Sequence, residues 1–229
     1  MSPLWQITGF LSSALLLLAV WQLQRRSYFR AYPFLALFLL AQVVITVAQW
    51  GQLMAIYSVS GARYRVIYWT TEFSTEVLLM MVMVSFIYRA LEGTEHRGRT
   101  LALVLVASGL AALLGTGQAT IGGNRWSSLL ARNLSFGSAL LNVLLWRALL
   151  KYRRTDVQLL LLSLGAGFWT TGRAIGQSLR LISPTSMPVG NAVLVLTEML
   201  SLLVWFWALS QFQLPASRTS TNEQPTTPA

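Results

Sequence analysis

Between Arg65 and Leu91 the chain reads RVIYWTTEFSTEVLLMMVMVSFIYRAL, a stretch long and apolar enough to cross a bilayer that carries Glu72 and Glu76 in its first half. A charged side chain near the centre of a membrane helix costs roughly 2.5–3.5 kcal/mol when it faces lipid. Both carboxylates therefore have to face protein. Spaced i, i+4, they share one helical face with Trp69 a turn before them and Met80 and Met83 beyond. Whatever this chain folds into has to supply an interior for that face.

The rest of the sequence supplies more helices of the same kind. Of its 229 residues 55% are apolar and 10% charged, against about 25% charged in an ordinary soluble domain. At about 20 residues per span, seven spans are expected, near 4–24, 32–56, 65–91, 100–120, 126–150, 157–182 and 189–212. The connections between them are short. The expected fold is an all-α integral membrane protein, a seven-transmembrane-helix bundle over residues 1–214. The remainder, 215–229, PASRTSTNEQPTTPA, is rich in Pro, Thr and Ser and is expected to be a disordered polar tail. Nine Trp and seven Tyr suit the aromatic belts at bilayer surfaces.

Orientation follows from the bases. Arg25, Arg26, Arg30, Arg89, Arg97, Arg99, Arg147, Lys151, Arg153, Arg154 and Arg218 fall on one side, and Arg63, Arg65, Arg125 and Arg180 on the other. The heavier side is the cytoplasmic one, so the N-terminus is expected outside and the C-terminus in the cytoplasm. The start, MSPLWQITGFLSSALLLLAVWQLQRR, has no basic residue before its apolar run, unlike a cleavable signal peptide, and reads as a first membrane helix. The net charge of +10 is scattered in clusters between apolar runs, so no nucleic-acid partner is expected. A faint echo, Tyr88-Arg89-Ala90-Leu91, Trp146-Arg147-Ala148-Leu149 and Trp207-Ala208-Leu209, fits either three related hairpins or the general collection of aromatic and basic residues at an inner membrane surface.

Polar residues at helical spacing mark faces turned away from lipid. They are Gln42, Thr46 and Gln49 on the second span, and Trp69, Glu72 and Glu76 on the third. The fifth carries Arg132, Ser135 and Asn142, the sixth Trp169, Arg173, Gln177 and Arg180, and the seventh Asn191, Glu198 and Ser201. The first and fourth spans show little of this and are expected to be peripheral or packing elements. At 1.5 Å of rise per residue, Glu72, Glu76, Arg132, Arg173 and Glu198 lie about 9–17 Å below the outer surface. Five charges facing lipid would together cost more than ~10 kcal/mol, so they are expected to converge on one polar core.

Two readings of that core stay open. In one, ion pairs such as Arg173 with Glu198 and Arg132 with Glu72 or Glu76 hold helices together. In the other, Glu72, Glu76, Glu198, Arg132, Arg173, Gln49, Trp69, Trp169 and Gln177 line an outward-facing pocket for a small polar or charged ligand, the acids holding a cationic group or a proton and the arginines an anionic one. Three acids against two bases leave one acid unmatched, either protonated or awaiting a cation. Gly172 and Gly176 on the sixth span form a GxxxG spacing, which favours tight helix packing over a bend.

Other chemistries are excluded by residues the chain lacks. It contains no Cys, and its one His, His96, falls in the cytoplasmic loop after the third span. Neither a zinc site of the usual ligands nor a His-based catalytic arrangement can be assembled in the membrane, so no enzyme activity, metal or cofactor is expected. The one Lys, Lys151, is in a loop, which excludes a retinylidene pigment.

A basic loop before the second span, RRSYFRAYPFLALFLL at 25–40, and a polar third span ending in the aromatic and basic FIYRAL at 86–91 together resemble the seven-helix N-terminal membrane sensor modules of bacterial histidine kinases and related signalling proteins. The resemblance covers most of the chain and is one of pattern, so it assigns no functional residue. It implies seven helices with an outside N-terminus. It departs from the family where no kinase or cyclase domain follows the seventh span. The function expected is a stand-alone sensor or receptor-like protein, multi-pass in a bacterial inner (plasma) membrane, with a separate cytoplasmic or membrane signalling partner. A small transporter, proton-coupled through Glu76 or Glu198 and using a break in the Gly-rich sixth span, is the first alternative. An accessory subunit of a larger membrane complex is the second.

Overall fold

A computed structural model describes residues 3–26, 28–55, 61–94 and 126–211, together with residues 98, 102 and 106. Apart from residues 102 and 106, the span expected at 100–120 lies outside the described residues, as do His96 and the tail 215–229. What is described is all-helical. The helices are α1 (Pro3–Arg25), the one-turn α2 (Tyr28–Ala31), α3 (Pro33–Ala55), α4 (Gly61–Ala90), α5 (Trp126–Tyr152), α6 (Val157–Ile182) and α7 (Met187–Gln211). Their boundaries have local causes. Pro33 opens α3, where its missing N–H would have had no intrahelical partner. Asp156 caps α6, its carboxylate accepting from the Leu159 N–H at 3.0 Å. At the other end α6 stops at Ser183, which is extended as a residue before proline must be, and the turn Pro184–Ser186 leads into α7.

Contacts between helices run α1 to α3, α3 to α4, α4 to α5, α5 to α6, α6 to α7 and α7 back to α1, with α4 also touching α6. The six long helices therefore form a closed ring, and α4 meets α6 across it. The first helix, expected as a peripheral or packing element for want of a polar stripe, is a packing element: α1 closes the ring between α3 and α7.

The closest approach is between α6 and α7, and glycines permit it. A methyl group on Gly172 would collide with the Thr197 side chain. One on Gly176 would stand 2.5 Å from Leu194 Cγ and 3.0 Å from the Gly190 carbonyl, and one on Gly190 would stand 2.8 Å from the Gly176 carbonyl. The GxxxG spacing is thus a packing device, and α6 runs without a break through Arg173.

Polarity is distributed inside-out relative to a water-soluble bundle. Glu76, Ser135, Ser138, Ser163, Thr170 and Ser201 are fully buried, while Phe10, Leu17, Val44, Val47, Leu140, Val143, Leu196 and Trp207 lie exposed on the outer faces. Exposed apolar faces on every long helix suit a hydrocarbon surround, where interhelical polar contacts and small residues rather than hydrophobic burial hold helices together. Tyr68–Ala90, Arg132–Tyr152 and Met187–Gln211 are each long and apolar enough to cross a membrane, and Pro33–Ala48 is a shorter apolar run.

The apolar core fills the half of the ring nearer the basic loops. Leu23, Tyr28, Leu35, Phe38, Leu79, Met83, Phe86, Leu145, Leu149, Leu162 and Leu209 are buried there. Arg89, at the end of α4, donates to the Ala31 carbonyl at 2.5 Å and lies over the Tyr32 ring at 4.3 Å, so this end of α4 is fastened to the connection between α2 and α3.

Candidate functional site

The polar residues occupy three levels of the ring interior. Nearest the α6–α7 turn, Arg180 donates through Nε to Asn191 Oδ1 at 2.6 Å and through Nη1 to the Tyr68 hydroxyl at 3.2 Å. Two turns along α6, Arg173 bridges to α4. Its Nη2 pairs with Glu72 Oε2, and its Nε with Glu76 Oε1 at 2.6 Å. Ser135 on α5 donates to the same Glu76 oxygen at 2.7 Å. Below this level Gln42 Nε2 on α3 donates to Thr75 Oγ1 at 3.0 Å, and Ser201 and Trp205 of α7 donate to the Gly165 and Leu162 carbonyls of α6.

The i, i+4 spacing of Glu72 and Glu76 is what lets one guanidinium take both. Their carboxylates stack along α4, and Arg173, reaching across from α6, uses separate nitrogens on each. Glu76 has no exposed surface, whereas the Glu72 and Arg173 side chains each keep 14%. The second Glu76 oxygen, Oε2, has no partner among the described residues.

Glu198 follows a different course from the pairing expected. Its Oε1 accepts from Ser12 Oγ of α1 at 2.9 Å, and no ion pair joins it to Arg173. The two nevertheless line one cleft between α6 and α7, with Trp169, Leu194 and Thr197 as the other walls. Inside its walls the cleft has room for about one water molecule, far below the 300–1,000 Å³ or so of drug-sized pockets. Trp169 stacks on Trp205 with centroids 5.7 Å apart and an interplanar angle of 15°, and Phe38 stands edge-on to both. This aromatic trio separates the charged level from the apolar core.

Other residues expected at the site are placed as follows. Arg132 is half-buried, pairs with neither Glu72 nor Glu76, and has a buried Nε without a partner among the described residues. Arg173 occupies Glu72 and Glu76, one of which the ion-pair reading assigned to Arg132. Gln177 is buried one turn beyond Arg173, its Nε2 likewise unpartnered among the described residues. Trp69 is half-buried and packs edge-on against Tyr68 and tilted against Phe73, away from the cleft lining. The Gln49 side chain lies outside the described residues. Ser12, which sequence reasoning passed over, has one visible signal, the Ser12-Ser13 step in an otherwise apolar helix.

Chemically the arrangement is dipolar. Arg173 spends Nε and one Nη on α4, leaving the other Nη without a hydrogen bond among the described residues. Glu198 spends one oxygen on Ser12. A guanidinium and a carboxyl group thus face one cleft, each held from behind by another helix. Searches with this chain find no matching family model, no matching curated protein and no matching solved structure.

Proposed function

We propose that this chain is a seven-helix, multi-pass protein of a bacterial inner (plasma) membrane, with its N-terminus outside, that works as a stand-alone sensor or receptor-like module. Its responding centre is the Arg173 level, and its ligand is a small polar or charged solute. The observation that carries this reading is the cleft between α6 and α7, in which Arg173 and Glu198 are exposed to the same small space without pairing directly. Intramembrane ionisable groups that neither neutralise each other nor face lipid are the usual mark of a ligand or ion path. Because Arg173 is bonded to α4 and Glu198 to α1, a ligand that draws on either changes the forces between three helices. Output passes to a separate cytoplasmic or membrane signalling partner. A ligand shifts such an equilibrium only by its difference in affinity for the two helix arrangements.

A second reading, an accessory subunit whose ion pairs are structural, is favoured by one specific feature. The Glu72–Arg173–Glu76–Ser135 set ties α4, α5 and α6 into a single bonded unit. The two readings separate in a melting experiment on the purified full chain with a panel of small amines, carboxylates, amino acids and sugars. On the receptor reading, at least one solute raises the melting temperature of the natural protein and loses that effect in Glu198→Gln. If no solute acts, and Glu76→Gln and Glu198→Gln only melt earlier, the accessory reading replaces it.

A further inference from the structure

Helix α5 presents two opposite faces. At about 100° per residue, the buried Leu134, Leu141, Leu145 and Leu149 fall on one side, and the exposed Phe136, Leu140, Val143, Arg147 and Lys151 fall within an arc of about 80° on the other. The outward stripe is apolar up to Val143 and basic after it. From Phe136 to Arg147 the helix rises about 16 Å, close to half of the ~30 Å hydrocarbon thickness of a bilayer. A stripe that faces hydrocarbon across one leaflet thus delivers Arg147 and Lys151 to the level of the headgroups.

These two bases differ from their neighbours. Arg153 pairs with Glu92 at 3.7 Å, Arg89 is held by the Ala31 carbonyl and the Tyr32 ring, and Asp156 caps α6. The described acids at this end are therefore engaged, and neither Arg147 nor Lys151 has an ion pair among the described residues. Like charges at i, i+4 repel and weaken a helix. An anion lying between them turns that repulsion into two attractions. The Lys151 ammonium also lies 5.0 Å from the centre of the exposed Tyr152 ring, and tyrosine is a residue that settles at membrane interfaces.

We propose that Arg147 and Lys151 hold the phosphate of an anionic phospholipid of the phosphatidylglycerol type, with an acyl chain lying along Val143, Leu140 and Phe136. Direction of approach selects lipid over an acidic protein. The pair continues the stripe that faces outward from the bundle, whereas a soluble partner meets the end of the bundle, where Arg89 and Arg153 are already engaged. Net negative charge is needed because a zwitterionic headgroup brings an ammonium of its own, and no free carboxylate stands beside the pair among the described residues. The site rests on the membrane setting and is independent of the receptor reading.

The test uses the full chain in detergent, titrated with phosphatidylglycerol, phosphatidylethanolamine or phosphatidylcholine, with retained lipid read by native mass spectrometry and stability by melting temperature. Phosphatidylglycerol is expected to be retained in preference to the other two and to raise the melting temperature. One base near a membrane surface is worth roughly a fivefold change in binding, so Arg147→Gln with Lys151→Gln is expected to lower phosphatidylglycerol retention roughly tenfold or more. Lys151→Arg is expected to keep it. Both side chains are exposed, so these changes leave the fold intact. Arg25→Gln with Arg30→Gln removes the same charge from α1 and α2 and is expected to leave most of the retention in place. Equal retention of all the lipids overturns the assignment, as does unchanged retention in the Arg147 and Lys151 double variant. A comparable loss in the Arg25 and Arg30 variant overturns it too, by showing that net charge alone attracts the lipid. If inorganic phosphate by itself raises the melting temperature and displaces the lipid, the pair is a site for free phosphate and the lipid assignment is wrong.

Discussion

Arg173 is the residue whose loss the fold should tolerate least. It faces two carboxylates, one of them without exposed surface, and no other base pairs with either among the described residues. Truncating one member of a buried charge set strands the others, which typically costs about 3–5 kcal/mol. Arg173→Leu is therefore expected to lower stability by an amount of that order, read as a fall in melting temperature in detergent. The triple change Glu72→Gln, Glu76→Gln, Arg173→Leu is expected to recover much of it, because no charge is then left uncompensated. Ser135→Ala is the milder counterpart, expected to cost about 1–3 kcal/mol by removing one hydrogen bond to a buried carboxylate. The presence of these charges in one interior was readable from sequence because lipid forbids the alternative. Their pairing was not. Counting residues fixes depth along a helix, and by depth Arg132 was as good a partner for Glu72 as Arg173. What decides is azimuth and lateral position, which depend on how all the helices pack. Ser12 escaped notice for the related reason that a lone hydroxyl on an apolar helix signals nothing until its neighbour is known.

Among elements, the α6–α7 pair has the narrowest tolerance. Gly172→Ala places a methyl group inside the Thr197 side chain, and overpacking of this kind typically costs about 1–3 kcal/mol. Thr197→Ala is expected to relieve it, so that the double variant melts closer to the natural protein than Gly172→Ala does. Gly98→Ala, where no atom of the described residues lies within 4 Å of the added carbon, serves as the control and is not expected to lower the melting temperature. The GxxxG spacing made this contact legible in advance, since small residues four apart have one common use in apolar helices. Helix α1 shows the opposite situation. Its sequence is nearly featureless, so nothing in it announces that the ring closes through it, and only the packing of α3 and α7 on either side settles the matter.

At the scale of the whole molecule, the closed ring with apolar faces outward and polar groups inward calls for a test of its setting. The sequence contains no Cys, so single cysteines can be introduced on a silent background. With Ser2→Cys and Ser217→Cys, a membrane-impermeant maleimide applied to intact cells is expected to label position 2 and not position 217. The reverse pattern would invert the topology, and equal labelling would remove the odd number of spans. Helix α4 gives the molecule a mechanical property of its own. Glu76 lies at the middle of its 30 residues and Arg89 at its basic end, joined by about 20 Å of unbroken helix at 1.5 Å per residue. Its middle is bolted to Arg173 and its basic end to the Ala31 carbonyl and the Tyr32 ring. Such a pushrod has no slack: a shift of its upper bolt along the axis has to reappear, little diminished, at the basic connection on the far side.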